Sequence, residues 1–303
     1  MKLLLFISSI MLCSVAYSQL SIEKLNSDSS VKQFIIQAKS NNNPESEWNN
    51  FNFIKWENEK LYPLSDSITN IQKWLKADIN NDGKQDIIVS GALTYPWGNN
   101  FILLAFLSTD SAYRQINLMP IFGEIRPIYF KPIFINEKEC FELIKVGAGY
   151  NWRSPQLVKD TIVFMFNDFV NYNKNPTHQT FDSLFFFTNY VWKPYNISYL
   201  TITNTGNMIY KKGAYSRDKE FNEYAVLSKQ KLKEFEQLLN YVNPLSLRND
   251  YTNAEDIECT HITIKYTDGT YKTINDYGSF GTYSLKALYN KCNEFIENTD
   301  WKK

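Results

Sequence analysis

The chain lacks net charge: 32 Lys and Arg offset 32 Asp and Glu. No basic face stands out, which argues against a nucleic-acid partner. Histidine is scarce, with two residues in the whole chain. His178 falls in a polar stretch and His261 begins a strand-like segment. Neither lies near a nucleophile motif such as G-x-S-x-G, so the usual base of a serine or cysteine triad has no partner nearby. Glycine loops of the G-x-x-x-x-G-K-[ST] or G-x-G-x-x-G kind are absent, which removes the common phosphate cradles. No stretch beyond the N-terminus is apolar enough to span a membrane. Carboxylates for a paired-acid hydrolase exist, at Glu142, Asp160 and Asp168, but their spacing selects no pair. These absences lean away from an enzyme. A secreted hydrolase, glycan-active and with its acids brought together from distant segments, stands as the alternative.

Aromatic residues are abundant, at 16% of the chain. Tyr, Phe, Val, Ile and Thr suit half-buried pleated surfaces, so the composition leans toward strands. The length suits one large domain or two ordinary ones. Lys2, the apolar run Leu3 to Val15 and the small residues of Ala16-Tyr17-Ser18 read as a signal peptide over residues 1–18, with export to the periplasm or beyond the cell. Two other readings stand beside it: a retained anchor, and a lipoprotein through Cys13, against which Leu12 speaks. Cleavage before Gln19 leaves Cys140, Cys259 and Cys292, an odd count for an oxidising compartment. Cys292 lies on the apolar stripe of an expected helix and reads as a small buried hydrophobe. A Cys259–Cys292 bridge is the sharper alternative.

Organisation follows from periodicity. Val31, Phe34, Ile35 and Ala38 fall on one side of a helix over residues 28–39. From residue 51 the pattern turns to strands: 74–77, 87–89, 101–107, 128–135, 141–146 and 161–166, separated by Pro96-Trp97-Gly98-Asn99, Asn136-Glu137-Lys138 and Gly147-Ala148-Gly149. After a polar stretch, Asn204-Thr205-Gly206-Asn207 joins two strands. Ser228 caps a helix carrying Leu232, Phe235, Leu238, Leu239 and Val242. Asp268-Gly269 closes a second hairpin, and Ser284 opens a final helix with Leu285, Leu288, Tyr289, Cys292 and Phe295 on its apolar side. The expected fold is α+β: a β-rich antiparallel domain over residues 19–185, then a β-β-α-β-β-α domain over residues 195–303 with both helices on one face of its sheet.

One stretch carries the spacing of a site. In Asp78-Ile79-Asn80-Asn81-Asp82-Gly83-Lys84-Gln85-Asp86, oxygen-bearing side chains occupy loop positions 1, 3, 5 and 9. Gly83 sits at position 6, where the turn is sharpest, and Lys84 at position 7 offers its backbone carbonyl. Converging carboxylates repel unless a hard cation sits among them, and Ca2+ suits a flexible oxygen ring. An EF-hand is excluded at position 12, where a bidentate Glu is needed and Val89 stands. A solvated turn of Asp, Asn and Gly is the plainer alternative. The stretch from Trp74 to Gly91 resembles the calcium loop of FG-GAP/VCBS-type repeats, which place it between two strands of an extracellular propeller blade. The resemblance implies a structural Ca2+ held by Asp78, Asn80, Asp82, Lys84 and Asp86. Such proteins usually repeat the loop, and this chain has one copy, so a full propeller is not implied. The C-terminal region, through Asp268-Gly269, Asp276-Tyr277-Gly278 and the helix after Ser284, is similar to a domain of unknown function found in secreted bacterial proteins.

Two loops join glycine to aromatics: Tyr95-Pro96-Trp97-Gly98-Asn99-Asn100, and Gly147 to Arg153 with Tyr150 and Trp152. They read either as covers for the ends of a sheet, the favoured reading in so aromatic a chain, or as stacking platforms for sugar rings. The whole is expected to be an exported, non-enzymatic binding or structural protein with one calcium site, whose partner is an extracellular protein or glycan.

Overall fold

Ser27 and Ser30 set the start of the first helix by exchanging side-chain and backbone hydrogen bonds, Ser30 N–H to Ser27 Oγ at 3.2 Å and Ser27 N–H to Ser30 Oγ at 3.1 Å. Helix α1 (Asp28–Ser40) then buries Val31, Phe34 and Ile35. The computed structural model describes residues 21–40, 43, 45–53, 72–110, 112–119, 128–147, 156–189, 197–213, 222–252, 259–278 and 281–302. The expected signal peptide, Trp152 and most of its loop lie outside these.

Helix α1 packs on a five-stranded sheet built from β1 (Phe51–Asn52), β2 (Trp74–Ala77), β3 (Asp86–Tyr95), β4 (Gly98–Ser108) and β5 (Tyr113–Asn117). The order is β1-β3-β4-β5, with β2 alongside the first half of β3 and β1 alongside its second half. Strands β3 and β4 are apolar on both faces because both are covered. Ile87, Val89, Leu104 and Phe106 face α1, while Ile88, Ala92, Leu103, Ala105 and Leu107 face a second sheet. That sheet is a four-stranded meander of β6 (Ile128–Ile135), β7 (Lys138–Gly147), β8 (Gln156–Met165) and β9 (Asp168–Asn171). Its hairpin turns at Asn136-Glu137 and Phe166-Asn167 place both central residues at positive φ, the mirror-image turn that matches strand twist.

The third sheet has seven strands. Its elements are β10 (Phe181–Asn189), β11 (Ile197–Thr203), β12 (Asn207–Gly213), β13 (Asn222–Val226), β14 (Asp250–Thr252), β15 (Cys259–Tyr266) and β16 (Tyr271–Tyr277), in the order β13-β12-β11-β10-β15-β16-β14. Only β14 pairs in parallel, with β16. Helices α2 (Lys229–Val242) and α3 (Tyr283–Glu297) cover one face, burying Phe235, Leu238, Leu239, Leu285, Leu288 and Phe295 against Leu184, Phe186, Leu200, Ile202, Ile262 and Ile274. The second sheet reaches the same core through Cys140, Val163 and Val170. The layers are therefore α1, first sheet, second sheet, the α2–α3 pair, third sheet. The α+β, β-dominated class is the observed one.

Three details differ from expectation, while Cys292 is buried as its place on the apolar stripe led one to expect. Strand β10 sits centrally in the third sheet, between β11 and β15, so that unit starts at Phe181. Its polar surroundings in sequence obscured this. Strands β13 and β14 extend the β-β-α-β-β-α pattern; both are short and at the sheet margins. Thr282, not Ser284, caps α3, accepting the Leu285 N–H at 3.1 Å. Ser284 instead clasps β9: its Oγ accepts the Asn171 N–H at 3.0 Å and its own N–H donates to Asn171 Oδ1 at 3.1 Å. Among the described residues no disulfide joins the cysteines; Cys140 and Cys292 are buried and Cys259 half-buried. No Cys259–Cys292 bridge forms because Cys292 lies in the helix layer on one side of the third sheet. Cys259 alternates with the inward Thr260 and points to the other side.

Candidate functional site

The acidic stretch connects β2 to β3 as an irregular loop. Asn81 and Gly83 take positive φ, at 57° and 84°, so the sharp bend falls where glycine stands. Asp78 gathers the loop: its Oδ1 accepts the Asp82 N–H and its Oδ2 the Gly83 N–H, both at 2.9 Å. Asn80 Oδ1 reaches the same Asp82 N–H at 3.2 Å, and Asn80 Nδ2 donates to Asp82 Oδ2 at 3.1 Å. Asp78, Asn80 and Asp82 thus crowd together at the exposed side. The Lys84 ammonium turns outward to Asp110 Oδ1 at 2.6 Å. That pairing raises the lysine pKa and lowers the aspartate's.

Asp86 is placed differently. It is 0% exposed, and its two oxygens accept the Ile79 N–H at 2.9 Å and the Ser108 N–H at 2.7 Å. Burial pushes its carboxyl upward against those bonds, and the Asp82 charge adds to the push. Asp86 braces the base of the loop from beneath. Glu139, on β7, is a further carboxylate that sequence spacing did not single out. Burial and then the charge of Asp78 hold its pKa above the ordinary range. No local pattern reveals it, since its proximity depends on how the second sheet lies against the first. Among the described residues no group of three or more His, Cys, Asp or Glu is arranged to hold a metal ion. A cation at this loop would have to rely on the Asn80 amide oxygen and the Lys84 carbonyl beside Asp78 and Asp82, a hard-oxygen set of the kind that suits Ca2+.

The opposite end of β3 carries the aromatic tip. Trp97 is 83% exposed, against the expectation that it covers the sheet end as a core residue. It stacks on Tyr95 with ring centroids 5.1 Å apart and planes at 10°. The Tyr95 hydroxyl donates to Glu47 Oε2 at 2.5 Å, and that bond pushes the phenol pKa up to about 12. Tyr95 is held at both ends, so Trp97 rests on a fixed base.

The other residues singled out in sequence do not assemble into a reaction centre. His261 Nδ1 pairs with Asn275 Oδ1 on the neighbouring strand at 2.6 Å and Nε2 with Thr263 Oγ1 along its own strand at 3.0 Å, structural polar contacts within the sheet. His178 is exposed. Glu142 lies beside Lys131 at 3.0 Å and Lys159 at 3.5 Å, and Asp160 beside Lys145 at 3.8 Å. Register places Glu142 opposite Thr161 and Asp160 opposite Leu143, hence on opposite faces of the sheet. Asp168 Oδ2 accepts from Asn290 on α3 at 2.8 Å. A mainly apolar cleft of about 790 Å³ borders β13, lined in part by Met208, Ile209, Tyr224 and Leu227.

Residues 196–296 match the family model described as a domain of unknown function (DUF6438). This agrees with the likeness noted for the C-terminal region and covers the third sheet from β11 onward with both helices. The likeness of residues 74–91 to FG-GAP/VCBS loops finds no support in these comparisons. No curated protein and no solved structure matches the chain.

Proposed function

We propose that this is an exported, non-enzymatic binding protein that takes glycan at the Tyr95–Trp97 tip and holds Ca2+ as a structural ion in the 78–86 loop. The observation that carries the reading is Trp97: 83% exposed, yet stacked flat on a hydrogen-bonded tyrosine. An exposed aromatic on a rigid hairpin stacks on a sugar ring without losing much side-chain freedom. Asn99 and Asn100, exposed on the same hairpin, supply amides for hydroxyl groups. Export rests on residues 1–18.

The two features lie at the ends of one strand. Nine steps separate Asp86 from Tyr95 along β3, about 30 Å, so the ion does not touch the ligand. When bound, Ca2+ supplies charge neutralisation for Asp78 and Asp82 with the Asn80 and Lys84 oxygens. A hundredfold excess over Kd then stabilises the fold by about 2.7 kcal/mol. Asp86 positions the loop on β4 through Ser108.

A glycan array with the purified chain, followed by titration of the best ligand against Trp97→Ala, tests the tip. The expected loss is about tenfold or more, near 1.4 kcal/mol; unchanged affinity rejects it. Calorimetry with Ca2+ alone tests the loop. Asp82→Ala should abolish the heat, and equal heats for the two proteins would reject metal there while leaving the glycan result untouched.

A further inference from the structure

Helices cover one face of the third sheet; on the other face, register builds ordered rows. One row runs across six strands as Lys211, Tyr199, Phe187, His261, Asn275 and Asp250. Phe187 and Phe185 both pack against Tyr199 with tilted rings, centroids 5.2 Å apart for Phe187–Tyr199 and 6.2 Å for Phe185–Tyr199. None of the three belongs to an apolar core, and all stay partly exposed. The adjoining row, from Ile209 through Phe185 to Thr273, carries no charge.

We propose that this face is the contact surface of a homodimer, the occupant being a second copy of the chain. The charge order along the row carries the argument. Lys211 stands at one end and Asp250 at the other. Turning the sheet onto a copy of itself about a twofold axis parallel to the strands, between β10 and β15, sets Lys211 opposite Asp250 twice. The same operation sets Tyr199 opposite Asn275 and Phe187 opposite His261. A strip whose ends carry opposite charge around an uncharged aromatic middle is self-complementary, as an isologous interface requires. The charged ends lie toward the margins, where such pairs fix orientation and register rather than supply affinity. Affinity comes from covering Phe185, Phe187 and Tyr199.

The area is sufficient. The six strands that the operation overlaps, β12 to β14, give five spacings of about 4.8 Å, and seven-residue strands run about 23 Å, a face of roughly 550 Å² per copy. Two copies bury roughly 1,100 Å², above the roughly 1,000 Å² that a specific interface should clear. Facing sheets pack about 10 Å apart with strand directions within about 30°. The face belongs to a different sheet from Trp97, so the proposal stands apart from the glycan reading.

Sedimentation of the purified full chain across the micromolar range tests it. The wild-type protein should run as a dimer. Phe187→Arg should run as a monomer with an unchanged far-UV circular dichroism spectrum. Lys211→Glu and Asp250→Lys should each weaken association about tenfold or more, and the two together should restore it. If Phe187→Arg does not fold, Tyr199→Ser replaces it, and the charge exchange is read independently. A wild-type monomer throughout, a dimer indifferent to these changes, or a double exchange that fails to restore association would overturn the proposal.

Discussion

Asp86 and Ser108 join the first residue of β3 to the last residue of β4 through a side-chain bond, the carboxylate accepting the Ser108 N–H at 2.7 Å. Because the same carboxylate accepts the Ile79 N–H at 2.9 Å, one buried side chain closes the loop and ties it to the sheet. Removing it leaves buried donors without acceptors, at about 1–3 kcal/mol for each unsatisfied group. Asp86→Ala should therefore destabilise the fold by roughly 2–3 kcal/mol in urea melts without calcium. Asp82→Ala, whose bonds are exposed, should cost under about 1 kcal/mol in the same buffer. Equal losses would place Asp86 outside the bracing role.

Glu139 and Asp78 predict the sign of a pH effect. Burial and then the Asp78 charge raise the Glu139 pKa above its ordinary 4.5. A raised carboxyl pKa means the folded state favours the protonated form. That stabilising contribution is complete below the unfolded value and is lost as pH rises through the folded one. Glu139→Gln should therefore gain stability relative to wild type as pH rises from about 4.5 toward neutrality. In Asp78→Asn the gain should shrink, because the opposing charge is gone. Urea melts at pH 4 to 7 measure this, and a difference independent of pH would remove Glu139 from the field of the loop.

What could be read in advance followed how local each signal is. The Ser228 cap, the hairpin at Asp268-Gly269, and strand β6 over Ile128–Ile135 depend on neighbours in sequence, and the structure has all three, though the hairpin loop is longer than the expected two residues, with Tyr266 N–H bonded to Thr270 and only Gly269 of the pair at positive φ. Strand β10 was obscured because its partners, β11 and β15, come later in the chain, so its place in the third sheet is a tertiary fact. The cap of α3 moved to Thr282 because Ser284 is held by Asn171, 113 residues away. In the loop, spacing marked Asp78, Asn80, Asp82 and Asp86 alike. Only the packing of Ser108 beneath them separates Asp86 from the rest, and Glu139 arrives on another sheet.

Gly91 lies in β3 where its missing side chain makes room. A Cβ there would meet the Phe51 ring and the Asn52 backbone oxygen. Phe51 is 0% exposed and packed in the core beneath α1, so it has little freedom to retreat. Gly91→Ala should destabilise by about 1–3 kcal/mol, the usual penalty for overpacking, although alanine suits extended backbone better than glycine. The double variant with Phe51→Leu should recover part of the loss, read as a rise in Tm. Additive losses would show that the two positions do not share the space.

The thiols report on packing and export together. Burial pushes the Cys140 and Cys292 thiols upward in pKa, Cys292 furthest, and both are 0% exposed. A thiolate-directed reagent needs access and an ionised sulfur. In native buffer, dithionitrobenzoate should react readily with Cys259 alone, and Cys259→Ser should remove that fast phase. In denaturant the count reads the N-terminus. The chain has 4 Cys, of which Cys13 precedes the proposed cleavage point, so cleavage before Gln19 would leave three titratable thiols and an uncleaved chain four. One thiol in denaturant without reductant would instead signal a Cys259–Cys292 disulfide. Forming it would require Cys259 to cross from the open side of the third sheet to the helix side, past the buried Thr260 and Ile262 that separate the two.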